Sequence, residues 1–321
     1  MNTELLSLLP LPLATRLIDA DATVRRIALI DLLDEIDPEE AESYLVSALA
    51  DPAAEVRLEA ARQLEAQDSP EVVTGLLGAL QDEAREVREA AALSLSAVKN
   101  AAIGTLLLQH ATHSDAEVRT AIFRALRELR LPAAEAPAIY ALADTHASVR
   151  REAVAVLGWL KTSAALPQLV ALAGSDSDAE VRRAAIGALG FASDAATLPA
   201  LEKALTDTDW LVREEAATVA GKLGLRELVP ALIAALQDSF WQVRLKAARS
   251  LGRLKDDRAV TPLVESLTHT MSNLRKEVAL ALGEIANPAA AAGLEVVLDD
   301  PDTDVRKAAR LAYGRIASQL N

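Results

Sequence analysis

A Val-Arg pair recurs along this 321-residue chain at Val24-Arg25, Val56-Arg57, Val87-Arg88, Val118-Arg119, Val149-Arg150, Val181-Arg182, Val212-Arg213, Val243-Arg244 and Val305-Arg306, with Leu274-Arg275 as the one variant. Successive copies lie 31 or 32 residues apart. A fixed period of this length means one supersecondary unit per copy. Ten units fill the chain, so residues 1–321 read as a single repeat domain with no long linker.

Each unit has the same grammar. Five residues before the Val stands an Asp (Asp19, Asp51, Asp82, Asp144, Asp176, Asp207, Asp238 and Asp300), replaced by His113 and His269 in two units. A small or β-branched residue follows the Val at four residues and usually a Leu at eight. The last six units add Gly158, Gly190, Gly221, Gly252, Gly283 and Gly314 at nine. Apolar positions at 0, 4, 8 and 11 fall within about 80° on a helical wheel, which predicts an amphipathic helix. Asp and Ser ahead of it suit an N-cap. The preceding segment, such as 226–238, carries a second helical pattern, and Pro199, Pro230 or Pro262 should kink or restart it near its beginning. A lone helical hairpin cannot bury its apolar stripe, so the units must stack into an all-α solenoid. Atypical sequence marks the ends: residues 1–50 open with LLPLPL, and residues 288–321 place Arg310 and Tyr313 at positions apolar elsewhere. Both ends read as capping repeats.

The phrases DPAAEVRLEAARQL (51–64), DAEVRRAAIGALG (178–190) and DDRAVTPLVESL (256–267) resemble HEAT repeats. More closely, they are similar to the short bacterial class named after phycobilisome lyase subunits, the E–Z-type repeats. The resemblance covers the whole chain. It implies a right-handed α-solenoid of about ten HEAT-like hairpins, with the second helix of each on the concave side. It also implies an inter-repeat polar ladder built from the repeated Asp and Arg. All ten Val-Arg arginines are therefore assigned to structure. The shared residues are those that make repeats stack, so the resemblance says little about function.

Composition narrows the chemistry. Hydrophobic residues make up 51% of the chain and aromatics only 3%, with no cysteine, which excludes disulfides, thiolate catalysis and cysteine-ligated metals. No apolar run approaches the ~18 residues of a membrane span. The opening MNTELLSLLPLPL lacks a basic n-region, so no signal peptide is read and the expected compartment is the cytoplasm, in keeping with a bacterial protein. The net charge is −14, and the first hundred residues hold 20 acids against 8 bases. That balance speaks against nucleic acid, whose phosphates need a dense basic surface. The run Asp31–Glu42 has seven acids and no base. It reads as a solvated helix end, with a docking face for a basic partner as the alternative.

Catalysis needs a departure from the repeat. One enzymatic branch of the resembled family, an iron-dependent hydroxylase, carries His-Glu pairs on its helices; this chain has four histidines and no His-Glu dipeptide. His110, His113 and His146 cluster in sequence, near Asp115 and Asp144, but match no metal-ligand motif. The simpler reading makes His113 and His269 substitutes for the repeated Asp. No nucleophile stands beside a base, so no catalytic residue and no cofactor is assigned.

The aromatics are more informative. Trp210 and Trp241 share a slot two residues before the Val, and Trp159 and Phe191 share one ten residues after it. Arg151, Arg183, Arg249 and Arg253 occupy outward or flanking slots. Aromatics with arginines are the usual anchors of a binding surface. Together these eight residues predict a groove with aromatic walls and a basic rim. The expected function is a non-enzymatic interaction scaffold, adaptor or assembly chaperone that takes a protein partner, such as an acidic segment, on its concave face. The alternative is a bilin lyase-like or pigment-handling subunit, as the resemblance implies, with the aromatics holding a tetrapyrrole and the arginines its propionates.

Overall fold

The computed structural model describes residues 6–65, 67–192 and 195–320. Among them all regular structure is helical, as the repeat predicts. The chain divides into two compact units, Met1–Leu160 and Lys161–Asn321. The first holds five hairpins: α1 (Leu11–Leu17) with α2 (Ala22–Glu35), α3 (Pro38–Ala48) with α4 (Ala54–Gln63), α5 (Pro70–Ala79) with α6 (Arg85–Ser96), α7 (Gly104–Leu108) with α8 (Ala116–Leu129), and α9 (Glu135–Ala141) with α10 (Ala147–Leu160). The second holds five more: α11 (Leu166–Ser175) with α12 (Ala179–Leu189), α13 (Leu198–Ala204) with α14 (Trp210–Leu223), α15 (Val229–Ala235) with α16 (Trp241–Leu254), α17 (Val260–Ser266) with α18 (Ser272–Ile285), and α19 (Ala291–Val296) with α20 (Thr303–Leu320). Within each unit the even-numbered helices pack on one another in chain order and form one layer. The odd-numbered helices form the other.

The two layers differ for local reasons. From the fourth hairpin on, each first helix opens with a 3₁₀ turn, as at Arg226–Leu228 ahead of α15, and all but α11 are short. Pro230 then stands at the start of α15, where its missing N–H leaves no bond unmade. Five second helices are capped by an aspartate three residues before the Val: Asp21, Asp115, Asp178, Asp209 and Asp302 each accept an N–H from two residues on. The apolar stripes of the second helices form the core, with Val149, Ala153 and Leu157 of α10 or Val243, Ala247 and Leu251 of α16 fully enclosed.

The aspartate five residues before the Val does something else. Its Oδ1 accepts the N–H two residues later, as Asp82 does from Ala84 and Asp238 from Phe240, each at 2.8 Å, which fixes the turn. The same carboxylate receives the Val-Arg guanidinium of the preceding hairpin. Arg25–Asp51, Arg57–Asp82 and Arg119–Asp144 in the first unit, and Arg182–Asp207, Arg213–Asp238 and Arg275–Asp300 in the second, each make two parallel bonds of 2.6–3.0 Å. Each of these arginines also donates from Nη1 to a backbone carbonyl of its own turn, so one side chain ties two hairpins together. At His113 and His269 the imidazole Nδ1 replaces the carboxylate as acceptor of the turn N–H, at 3.1 Å. The rung itself is lost there. Arg88 turns to Glu117, and Arg244 lies 3.0 Å from His269 Nε2.

Small residues let the second-helix layer close up. A methyl group on Gly252 or Gly221 would come within 2.8 Å of the Cα of Ala281 or Ser250 on the next second helix. No helix is long and apolar enough to cross a membrane among the described residues.

Candidate functional site

The residues left over after stacking lie on the outward face of the second helices, and the two units carry distinct groups there. In the first unit, Trp159 on α10 is 46% exposed, with the Arg130 guanidinium 4.8 Å from its ring centroid. Two turns earlier on α10 sits Glu152, only 5% exposed. Three guanidinium groups converge on its carboxylate. Arg124 of α8 reaches Oε1 with Nε and Nη2 at 3.3 and 3.4 Å, Arg151 reaches Oε1 at 3.2 Å, and Arg127 lies 3.8 Å from Oε2. A cleft of about 530 Å³ runs beside Arg124, bordered by Arg88, Thr120, Ser148, Glu89 and Glu117.

In the second unit, Trp210 and Phe240 stack with centroids 5.1 Å apart and ring planes 7° from parallel, and Arg213 approaches the Phe240 ring at 5.7 Å. Trp210 is thereby half-buried, whereas its repeat counterpart Trp241 remains 39% exposed. Phe191 is half-buried just beyond the end of α12. Arg183 pairs with Glu180 at 2.7 Å while its Nε is buried without an acceptor among the described residues. Arg249 clasps Glu277 through two bonds of 2.7 and 2.8 Å. Arg253 is exposed beside it, in a cleft of about 200 Å³ shared with Leu280, Glu284, Leu311 and Arg315.

Trp159 and Arg151 thus belong to the first unit, and Phe191, Trp210, Trp241, Arg183, Arg249 and Arg253 to the second. Sequence reasoning missed the buried acids that organise the arginines. Glu59, Glu152 and Glu277 all stand three residues after the repeat Val or Leu and are under 9% exposed. Glu215 shares the slot, and burial pushes its carboxyl up from the ordinary range. A carboxylate recurring at one slot beside an arginine three residues further round the preceding repeat was the available signal. The histidine cluster resolves into turn contacts. His110 and His113 have ring centroids 6.4 Å apart, and His146 Nδ1 lies 3.0 Å from the Thr145 hydroxyl. Among the described residues no three His, Cys, Asp or Glu side chains converge as a metal site would need.

Stacked two-helix repeats joined by an Arg–Asp ladder define an α-solenoid. The chain belongs to the HEAT-repeat family, whose model matches residues 10–96, 104–190, 172–239 and 229–314. Among solved structures it is similar to an engineered protein at 24% identity, covering 99% of both chains with a TM-score of 0.55. YibA of Escherichia coli is 19% identical over 93% of this chain and 98% of its own, with a TM-score of 0.54. Kap95p, solved with RanGDP, is 15% identical; the match covers 95% of this chain and 54% of the Kap95p chain, with a TM-score of 0.54. These likenesses concern the fold. No curated protein matches the chain in sequence.

Proposed function

We propose that this protein is an interaction scaffold, an adaptor or assembly chaperone, that holds an acidic segment of a protein partner on the outward face of its second helices. One observation carries this reading. The Val-Arg arginines are largely consumed by the ladder, yet each unit keeps further bases on its second helices beside an exposed tryptophan of the same layer, Arg124 and Arg151 with Trp159 in the first and Arg249, Arg253 and Arg315 with Trp241 in the second, in a chain of net charge −14. At Trp159, with the Arg130 guanidinium 4.8 Å from its ring, charge and apolar area meet at one place, the combination that anchors protein interfaces. Solenoids of this family offer long surfaces for such contacts, and the Kap95p likeness is to a chain solved with a bound protein.

Binding of a fluorescent poly-glutamate peptide tests the reading. Wild type should bind at low salt and release the peptide as salt rises. Trp241→Ala and Arg253→Glu should weaken binding while circular dichroism stays unchanged. Absence of any salt-sensitive binding by the wild type would overturn the proposal.

Pigment handling is the second reading, favoured by the Trp159 indole lying open beside Arg130. It requires a visible absorption shift on addition of a bilin, which a scaffold for acidic peptides does not produce.

A further inference from the structure

Three arginines sharing one buried carboxylate leave charge over. Arg124, Arg127 and Arg151 bring three positive charges to the single negative charge of Glu152, and their side chains are 36–40% exposed while the Glu152 side chain is 6% exposed. Neighbouring pairs cancel locally: Arg85 engages Glu89 at 2.7 Å and Arg88 engages Glu117 at 3.0 Å. Arg127 also lies 3.6 Å from Glu128, which takes up one of the three positive charges. One positive charge remains around Glu152.

Burial makes Glu152 a fixed anchor. A carboxylate with so little access to water must keep its guanidinium partners close. The partners are therefore held with their remaining N–H groups outward, and the entropy of ordering three long side chains is spent before any ligand arrives. Arg124 uses Nε and Nη2 on Glu152, which leaves its Nη1 donors without an acceptor among the described residues. The same side chain borders the 530 Å³ cleft, where Thr120 and Ser148 hydroxyls lie 3.1 Å apart. Planar forks of donors, an uncompensated positive charge and flanking hydroxyls match the tetrahedral oxygens of a phosphate dianion better than a single carboxylate.

We propose that the Arg124–Arg127–Arg151 cluster, pinned by Glu152, binds a phosphorylated side chain of the partner segment. This rests on the scaffold reading above and names the group that the first unit would recognise; Trp159 would pack against the residues beside the phosphate.

The test uses the full chain and two probes, a capped phosphoserine and a capped glutamate, titrated while the Trp159 indole N–H and the Thr120 and Ser148 amides are followed by NMR. Phosphoserine should move these signals and bind at least about tenfold more tightly than glutamate. Arg124→Lys and Arg151→Lys keep the charge around Glu152 but lose the fork, and each should weaken phosphoserine about tenfold. Lys307→Ala, at an exposed lysine of α20 in the second unit, should leave it unchanged. Equal affinity for the two probes, no binding of phosphoserine, or full binding by both lysine variants would overturn the proposal. Wild-type protein that still captured poly-glutamate through Trp241 and Arg253 would, in that event, leave the broader scaffold reading intact.

Discussion

Arg213 donates to both oxygens of Asp238, Nε to Oδ2 at 2.6 Å and Nη2 to Oδ1 at 2.9 Å, and so joins consecutive hairpins through one nearly buried ion pair. Asp238 Oδ1 also receives the Phe240 N–H, so one carboxylate holds both the turn and the rung. Arg213→Ala would leave that carboxylate buried without its countercharge. The expected loss is about 2–4 kcal/mol in urea unfolding. Asp238→Asn should cost less, because the amide oxygen still accepts from Phe240.

The ladder makes stability depend on acid. Its bond to Arg57 holds the Asp82 carboxyl below the usual range, and Arg275 does the same for Asp300. Depressed carboxylates bind fewer protons folded than unfolded, so their stabilisation is complete above the unfolded pKa near 4 and falls away as pH drops through the folded values. The urea midpoint should therefore be flat with respect to these groups above about pH 5 and decline steeply below about pH 4. Arg57→Ala should blunt the decline.

His269→Asp should repair a missing rung. Burial and the charges of Arg244 and Arg275 hold the His269 pKa down, so its contribution favours the fold above the ordinary histidine range and is lost as pH falls through it. An aspartate would give Arg244 the carboxylate that Arg213 and Arg275 already have. Melting at pH 7 should show a gain of about 1–2 kcal/mol, larger at pH 5.

Glycines at one repeat slot should behave oppositely. A Cβ on Gly283 would lie 2.8 and 2.9 Å from the Cβ and Cα of Ala312, so Gly283→Ala forces two helix backbones apart, at a cost of about 1–3 kcal/mol. Nothing lies within 4 Å at Gly314, where alanine should add about 0.5–1 kcal/mol through helix propensity. Thermal melts of the two variants check the contrast.

The paired tryptophans should also separate. Trp210→Ala removes the ring stacked on Phe240 and should cost about 2 kcal/mol of stability. Trp241→Ala, at a more exposed ring, should cost under about 1 kcal/mol and show its effect in peptide binding instead.

The repeat was legible because stacking demands the same residues at the same slots in every unit. The Val stripe, the Arg–Asp spacing and the crowding at Gly252 all follow from a period of 31 residues that any reader of the chain can measure. His113 and His269 stood out for the same reason, and their Nδ1 atoms do accept the turn N–H in place of the aspartate. The outward face obeys no such rule. Trp210 and Trp241 share a slot, yet only Trp210 meets a phenyl ring delivered by the following hairpin. Glu152 reads as a solvated helix acid until Arg124, 28 residues earlier, is placed against it. Local periodicity sets which helices form and which way their apolar stripes turn; where side chains from neighbouring hairpins meet, and which charges they leave uncompensated, is decided by packing between hairpins.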